Sequence, residues 1–401
     1  MVNLVNEFPI NHESCYLNNA AYTPIPQSII NKILEYLSLY SRKGPDSGLV
    51  PLDELLEEGR YYVSGFLGCS VDEVVFTQSI THGINIIAEG FDYSRGNNIV
   101  VREAEKEHVA NYLPWLKVSK EKKLKLFISG SDSIGIPNIK KMERYMNLHK
   151  GGILSITHAL YNIGTILPLD EIIKVAHNNG YFVFIDAGQT AGVVPLDVKK
   201  MNCDFLAFSG YKWLCSPPGI GVLYIKKNIK KYISYYGMDV RSLASKKKGI
   251  RLVLDFNKEG YNLINAPNIF EAGFRNYVGL VGLISSIKFY NKIGPEKIRE
   301  KTLDLIDFTQ RLLKKTIKNI NVYGPEDVKE KTSIISFNIP GVNPADLVTY
   351  LRTKNIFIAV REIGNEGIAR ISPHYFNTHL QLKRTVDLIR QYCIEQKISF
   401  S

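Results

Sequence analysis

Cysteine is scarce in this chain of 401 residues: Cys15, Cys69, Cys203, Cys215 and Cys393 are scattered, odd in number and form no C-x-x-C pair. Neither a disulfide framework nor a metal site is indicated, and a reducing, cytoplasmic setting is expected. Long apolar runs are also missing. No window approaches the roughly 18 uninterrupted apolar residues of a membrane span, so no membrane association is expected. The opening M-V-N-L-V-N-E-F-P-I lacks a basic start followed by an apolar stretch, which speaks against a secretory signal. Acidic residues are outnumbered, 39 Asp and Glu against 50 Lys and Arg, for a net charge of +11. Such an excess attracts anions. Yet runs such as Lys246-Lys247-Lys248 are short and lack interleaved aromatics, which favours a solvated basic surface over a nucleic-acid partner.

What remains is an ordinary globular composition, 45% hydrophobic and 22% charged, long enough for a large domain and a smaller one. There is no internal repeat. Short apolar runs read as strands at Val74-Val75-Phe76, Asn98–Val101, Leu124–Ser129, Gly152–Thr157, Tyr181–Ile185, Asp204–Ser209 and Gly221–Ile225. Helical stretches between several of them, such as Asp170–Asn179, return the chain for a parallel neighbour. Gly221–Ile225 follows Asp204–Ser209 too closely for a helical crossover, so it is expected to run antiparallel. After about residue 265 the pattern changes. A helix over Pro295–Lys318 precedes strands at Ser333–Asn338, Ile356–Val360 and Ile368–Ile371, with helices at Pro344–Thr353 and Leu380–Gln396. The expected class is α/β: a large domain over 15–265 with a mostly parallel seven-stranded sheet, and a small α+β domain over 266–401. Residues 1–14 are expected to pack with the small domain.

Two segments carry chemistry. Y-F-V-F-I-D-A-G-Q is an apolar strand ending in Asp186; C-D-F-L-A-F-S-G-Y-K-W-L is another, ending in Ser209, with Lys212 three residues on. Both polar groups fall at carboxyl ends of strands, where open α/β sheets bind ligands. Singly, Asp186 reads as a helix cap and Lys212 as a surface lysine. Together they supply what pyridoxal phosphate requires: an amine to form an imine with its aldehyde and a carboxylate to keep its ring nitrogen protonated.

With these segments the chain resembles the class V aminotransferases of pyridoxal-phosphate fold type I, a group that includes cysteine desulfurases, C–S lyases and isopenicillin N epimerase-like proteins. The resemblance runs from Tyr16 to about Tyr392. It implies a homodimer and a set of roles. Y-L-N-N-A-A-Y puts Asn19, Ala20 and Ala21 beside the substrate. F-T-Q-S-I-T-H-G-I-N gives Ile80 and Thr81 to the cofactor phosphate, at a helix N-terminus suited to anions. E-H-V-A-N-Y-L-P-W gives His108 the stacking position over the ring. Gln189 would bond the ring hydroxyl oxygen, Ser209 and Tyr211 the phosphate, and Arg370, in G-I-A-R-I-S-P-H-Y, the substrate carboxylate.

The family pattern breaks at three places. Desulfurases carry a catalytic cysteine on a loop between two arginines, but Arg361 and Arg370 enclose only E-I-G-N-E-G-I-A. Tyr161 stands where many relatives have asparagine, so either its hydroxyl or Asn162 would take the ring-oxygen contact. Phe274 replaces a phosphate-binding threonine, leaving Arg275 to substitute. Cys215, close after Lys212, is read as structural rather than catalytic. The resemblance implies an enzyme acting on a small amino acid through a Lys212 imine. The activity expected first is C–S β-elimination without a loop cysteine. Transamination or epimerisation is the alternative. A non-enzymatic binding protein of this fold is disfavoured by the retained Lys212, Asp186 and Arg370.

Overall fold

A computed structural model describes residues 4–44, 52–104, 106–234, 245–248, 251–254, 267–271, 273 and 275–397. Its centre is a seven-stranded sheet of β1 (Val74–Thr77), β2 (Asn98–Arg102), β3 (Lys125–Ser129), β4 (Gly152–Thr157), β5 (Tyr181–Asp186), β6 (Phe205–Ser209) and β7 (Gly221–Ile225). The spatial order is β1-β7-β6-β5-β4-β2-β3. The strands from β6 to β3 are parallel, while β7 runs antiparallel to both β6 and β1. The antiparallel strand therefore falls where its short connection placed it. Every residue of β1, β2, β4, β6 and β7 is buried, which is why these strands read as continuous apolar runs rather than alternating ones.

The helices are α1 (Gln27–Lys43), α2 (Leu52–Leu67), α3 (Ile80–Gly90), α4 (Val109–Glu121), α5 (Ile139–Leu148), α6 (Leu169–Asn178), α7 (Tyr277–Ile293), α8 (Pro295–Thr316), α9 (Pro344–Thr353) and α10 (His379–Glu395). Sequence patterning did not pick out α7. It buries a broad face, including Tyr277, Leu280, Ile284, Ile287 and Tyr290, and packs against α1 and α2. The stripe left less buried begins with Val278 and Val281 and turns polar only from Ser285 onward, so little polar pattern reveals the helical period.

A second sheet of four antiparallel strands follows: β8 (Asn321–Tyr323), β9 (Ile335–Asn338), β10 (Ala359–Ile363) and β11 (Glu366–Ile371), in order β8-β9-β11-β10. The run expected as one strand over Ile356–Val360 divides. Ile356–Phe357 pairs in parallel with Cys15–Tyr16, and the chain then enters β10. The N-terminal segment is thus stitched to the C-terminal part of the chain. Phe8 stacks on Phe376 with ring centroids 3.9 Å apart, and Asn19 Nδ2 donates to the Ser372 carbonyl at 2.8 Å. The boundary expected near residue 265 lies outside the described residues, as does Phe274.

Candidate active site

The site lies at the carboxyl ends of the central strands. Asp186 closes β5, in register with Thr157 at the end of β4 and Ala207 in β6. Its Oδ1 accepts from the Gly188 N–H at 2.8 Å. A Cβ added to Gly188 would lie 3.0 Å from Asp186 Oδ1 and 3.6 Å from Lys212 Nζ, so the two groups border one small space that a side chain would crowd. Lys212 follows β6 in a tight loop, held by Cys215 N–H to the Lys212 carbonyl and Ser216 N–H to the Gly210 carbonyl, both 3.0 Å. Burial raises the Asp186 carboxyl above its usual range, opposed by the Lys212 charge. Burial lowers the Lys212 amine; Asp186 opposes this, and Arg370 and Arg361 add to it. A buried amine held toward its neutral form is a nucleophile.

Lys212 opens into a cavity of about 220 Å³ lined by Ala20, Ala21, Tyr22, His108, Tyr161, Gln189, Tyr211, Lys212, Arg361 and Arg370. His108 caps α4: its Nδ1 accepts the Ala110 N–H at 3.2 Å, and its ring meets Tyr161 edge to face, 5.0 Å between centroids. Burial lowers its basicity, and the Lys212 charge adds to this. Gln189 is fixed at both ends, accepting from Trp213 Nε1 and donating to the Ala20 carbonyl, each at 3.0 Å. Tyr211 stacks on Tyr22, centroids 5.3 Å apart. Of the two residues weighed for the ring oxygen, Tyr161 faces the cavity; Asn162 turns away to the Glu362 carbonyl.

Arg370 is almost fully buried. It donates to the Tyr161 carbonyl at 2.6 Å and to Asn18 Oδ1 at 3.1 Å, while its Nε has no partner. Arg361 lies beside it, bonded to the Val360 carbonyl. Among the described residues neither guanidinium meets a carboxylate within 4 Å. A buried cation left in this way calls for an anion from outside the chain.

Ser209 Oγ accepts the Ile80 N–H at 2.8 Å, joining the end of β6 to the start of α3. Ser79 caps that helix through the His82 N–H, which leaves the Thr81 N–H without a partner among the described residues. Gly221 allows this approach, since a Cβ there would come within 2.7 Å of Ser79. Arg275 lies near the same turn in a separate small cavity with Thr77, Gln78, His82 and Glu271, and it bonds Glu271 and the Gly273 carbonyl. Asn19 does not line the main cavity; it is wholly buried and ties Ser372 and Asn377 to the N-terminal segment. Tyr22 and Arg361 line the cavity without having been assigned a role there. Arg361 could have been found as one of the two arginines flanking the shortened loop; Tyr22 gave no signal beyond adjoining Ala20-Ala21.

Among the described residues no thiol lines this cavity. Cys215 is buried, its thiol pushed up to about 12, with Tyr375 Oη and His374 Nε2 each 3.7 Å away. Arg361 and Arg370 sit on β10 and β11, a hairpin closed by only Gly364 and Asn365.

An amine, a histidine and two guanidiniums line one cavity, with a buried carboxylate close to the amine; the chain belongs to the class V aminotransferase family, residues 15–386 matching Aminotransferase class-V. It is a pyridoxal-phosphate-dependent enzyme of fold type I. A probable cysteine desulfurase of Methanothermobacter thermautotrophicus is 30% identical over 396 residues, covering 94% of each chain. One from Pyrococcus abyssi is 30% identical over 388 residues, covering 93% of this chain and 92% of its own. The apo cysteine desulfurase of Thermococcus onnurineus superimposes with a TM-score of 0.88 at 27% identity over 98% of both chains. A cystine C–S lyase in complex with its product cysteine persulfide has the same fold, TM-score 0.85 at 19% identity, covering 96% of this chain and 99% of that one.

The residues present fit the cofactor. Lys212 would hold it covalently, Asp186 would face its ring nitrogen, His108 its ring, and Thr81 with Ser209 its phosphate. Among the described residues no group of side chains could hold a metal ion, and no helix is long and apolar enough to cross a membrane.

Proposed function

We propose that this enzyme cleaves a C–S bond by β-elimination from a cysteine-like or cystine-like amino acid. The observation that carries this reading is the pair Arg361 and Arg370 at the Lys212 cavity, joined by a two-residue turn that has no thiol. Such a site can fix an amino acid by its carboxylate and move its Cα proton. It has no cysteine with which to take sulfur from the substrate.

Pyridoxal phosphate, when bound, supplies an electron-accepting ring that stabilises negative charge at Cα. The chain's own groups do the rest. Arg370 binds the α-carboxylate with two parallel hydrogen bonds, which fixes the Cα–H bond relative to Lys212. Lys212, as a free amine, takes the Cα proton at Nζ. Asp186 keeps a proton on the ring nitrogen. The Cβ–S bond breaks with its electron pair passing to sulfur. Water then completes the release of the three-carbon remainder as pyruvate and ammonium. Gln189 would bond the ring oxygen and Tyr211 the phosphate, Ile80 would act on the phosphate through its N–H bond to Ser209, Ala20 and Ala21 would border the substrate, and Arg275 would serve the phosphate end. The chain would divide into a large domain over 15–265 and a small one over 266–401, with the site in the crevice between them. The family resemblance further supports a homodimer, and the five free thiols a reducing cytoplasm.

The test is to mix the protein with a panel of amino acids and record its visible spectrum and products. Pyruvate with a sulfur species from cysteine or cystine is expected; a keto acid retaining the side chain would indicate transamination, and an inverted Cα epimerisation. A variant with all five cysteines replaced by Ser or Ala, checked first for folding, should retain turnover. Some stability loss is expected because buried thiols pack as small apolar groups. If Cys215→Ala alone abolished turnover with the Lys212 linkage intact, a thiol mechanism would return.

Arg370→Lys is expected to raise KM more than it lowers kcat and to reduce kcat/KM about 100-fold, since an ammonium cannot reproduce a bidentate clamp. Initial rates over a range of substrate concentrations check this. An unchanged KM would remove Arg370 from the carboxylate role.

A further inference from the structure

Behind the cavity lies a carboxyl that the reaction above does not use. Glu107 is 2% exposed and sits where the chain turns from β2 into α4. One oxygen accepts the His108 N–H at 3.0 Å. The other accepts the Thr157 N–H at 3.4 Å and lies 3.5 Å from Arg102 Nη1. Thr157 is the strand partner of Asp186, and its hydroxyl contacts the Asp186 carbonyl at 3.4 Å. Arg102 in turn ties to the carbonyls of Lys106 and Gly135. One carboxylate therefore bonds both the backbone that presents His108 and the strand beside Asp186.

We propose that Glu107 is a positioning residue of the cofactor site, locking the His108 turn against the strand end that carries Asp186. The proposal rests on pyridoxal phosphate being held at Lys212. Its physical basis is that a buried carboxylate keeps its place only where its oxygens are satisfied, and here they are satisfied by the two segments that must stay in register. A side chain serving only to neutralise Arg102 would not need to reach the His108 and Thr157 amides. The charged groups acting on Glu107 are Arg102 from β2 and Asp186 from β5; burial dominates both, pushing its carboxyl up to about 7. Above that pH its negative charge adds to that of Asp186, so it favours the protonated form of a cofactor lying beyond Asp186.

Three variants of the holoenzyme test this: Glu107→Gln, Glu107→Asp and, as a control on packing alone, Ile153→Val in the neighbouring β4, a fully buried apolar side chain. Folding is verified by gel filtration and thermal unfolding. The readouts are the pH midpoint of the bound cofactor's visible band and its induced circular dichroism, which reports how the ring is held. Glu107→Gln is expected to weaken the dichroism and move the midpoint down by about one pH unit, since it removes a nearby negative charge and leaves Arg102 uncompensated. Glu107→Asp should keep the midpoint near that of the parent while weakening the dichroism, because it keeps the charge but shortens the reach. Ile153→Val should move neither. A folded Glu107→Gln with unchanged midpoint and dichroism overturns the proposal. If that variant does not fold, Glu107→Asp decides: unchanged dichroism overturns it. A parent protein that shows no cofactor band would instead overturn the underlying assignment to Lys212.

Discussion

Replacing Lys212 by Ala is expected to abolish covalent retention of pyridoxal phosphate and to lower kcat by at least about 10³-fold, within the range a positioned acid–base group contributes. The loss should exceed that of any other single change, because this one amine has two tasks. It anchors the cofactor, and once displaced it takes the Cα proton. Its loop is braced by backbone hydrogen bonds rather than by the side chain, so the variant should fold. Borohydride reduction of the parent enzyme, followed by peptide mass spectrometry, should find the label on the peptide containing Lys212. A label on another lysine would sink the assignment. Free cofactor added to the Lys212→Ala variant should bind reversibly, since the contacts around Asp186, His108 and Thr81 remain.

Asp186→Asn is expected to retain part of the cofactor but to slow Cα–H exchange at least about 100-fold, the order lost when one preorganised electrostatic partner is removed. An amide is nearly isosteric and can still accept from the Gly188 N–H. It cannot counter a positive ring nitrogen. Deuterium incorporation at the substrate Cα, followed by NMR, measures this step separately from later ones. Exchange at the parent rate would contradict the role given to Asp186.

Much of the fold was legible in the sequence because its central strands are short, buried on both faces and rich in branched side chains, a pattern that chain-local reading detects. Even the antiparallel β7 followed from the length of its connection. The pairing of Asp186 with Lys212 was legible for a related reason: both sit at strand ends, so strand boundaries placed them. Other parts depended on contacts between distant segments. The division of Ile356–Val360 arose because Cys15–Tyr16 claims its first two residues, which no local pattern announces. Tyr22 reaches the cavity through the same N-terminal segment, and the choice of Tyr161 over Asn162 hinges on the Glu362 carbonyl, 200 positions away. Glu107 was hidden for the opposite reason: a lone Glu before a helix looks like surface, and only burial beside Arg102 distinguishes it.

The stitching of the N-terminal segment to the C-terminal part also has a consequence for the order of events on the ribosome. Asn19 bonds Ser372 across 353 positions, and the Cys15–Tyr16 strand has its partner at Ile356–Phe357. Domains form as they emerge, so the seven-stranded sheet can assemble while the rest is still being made. Residues 15–19 cannot dock then, because Ile356–Phe357 and Ser372 do not yet exist. They must wait, with Leu17 unburied and Phe8 unstacked, until Ser372 and Phe376 have been added. Ala20, Ala21 and Arg370 therefore come together only after that point, and a nascent chain stopped short of it would carry the cofactor lysine without the full lining of its cavity.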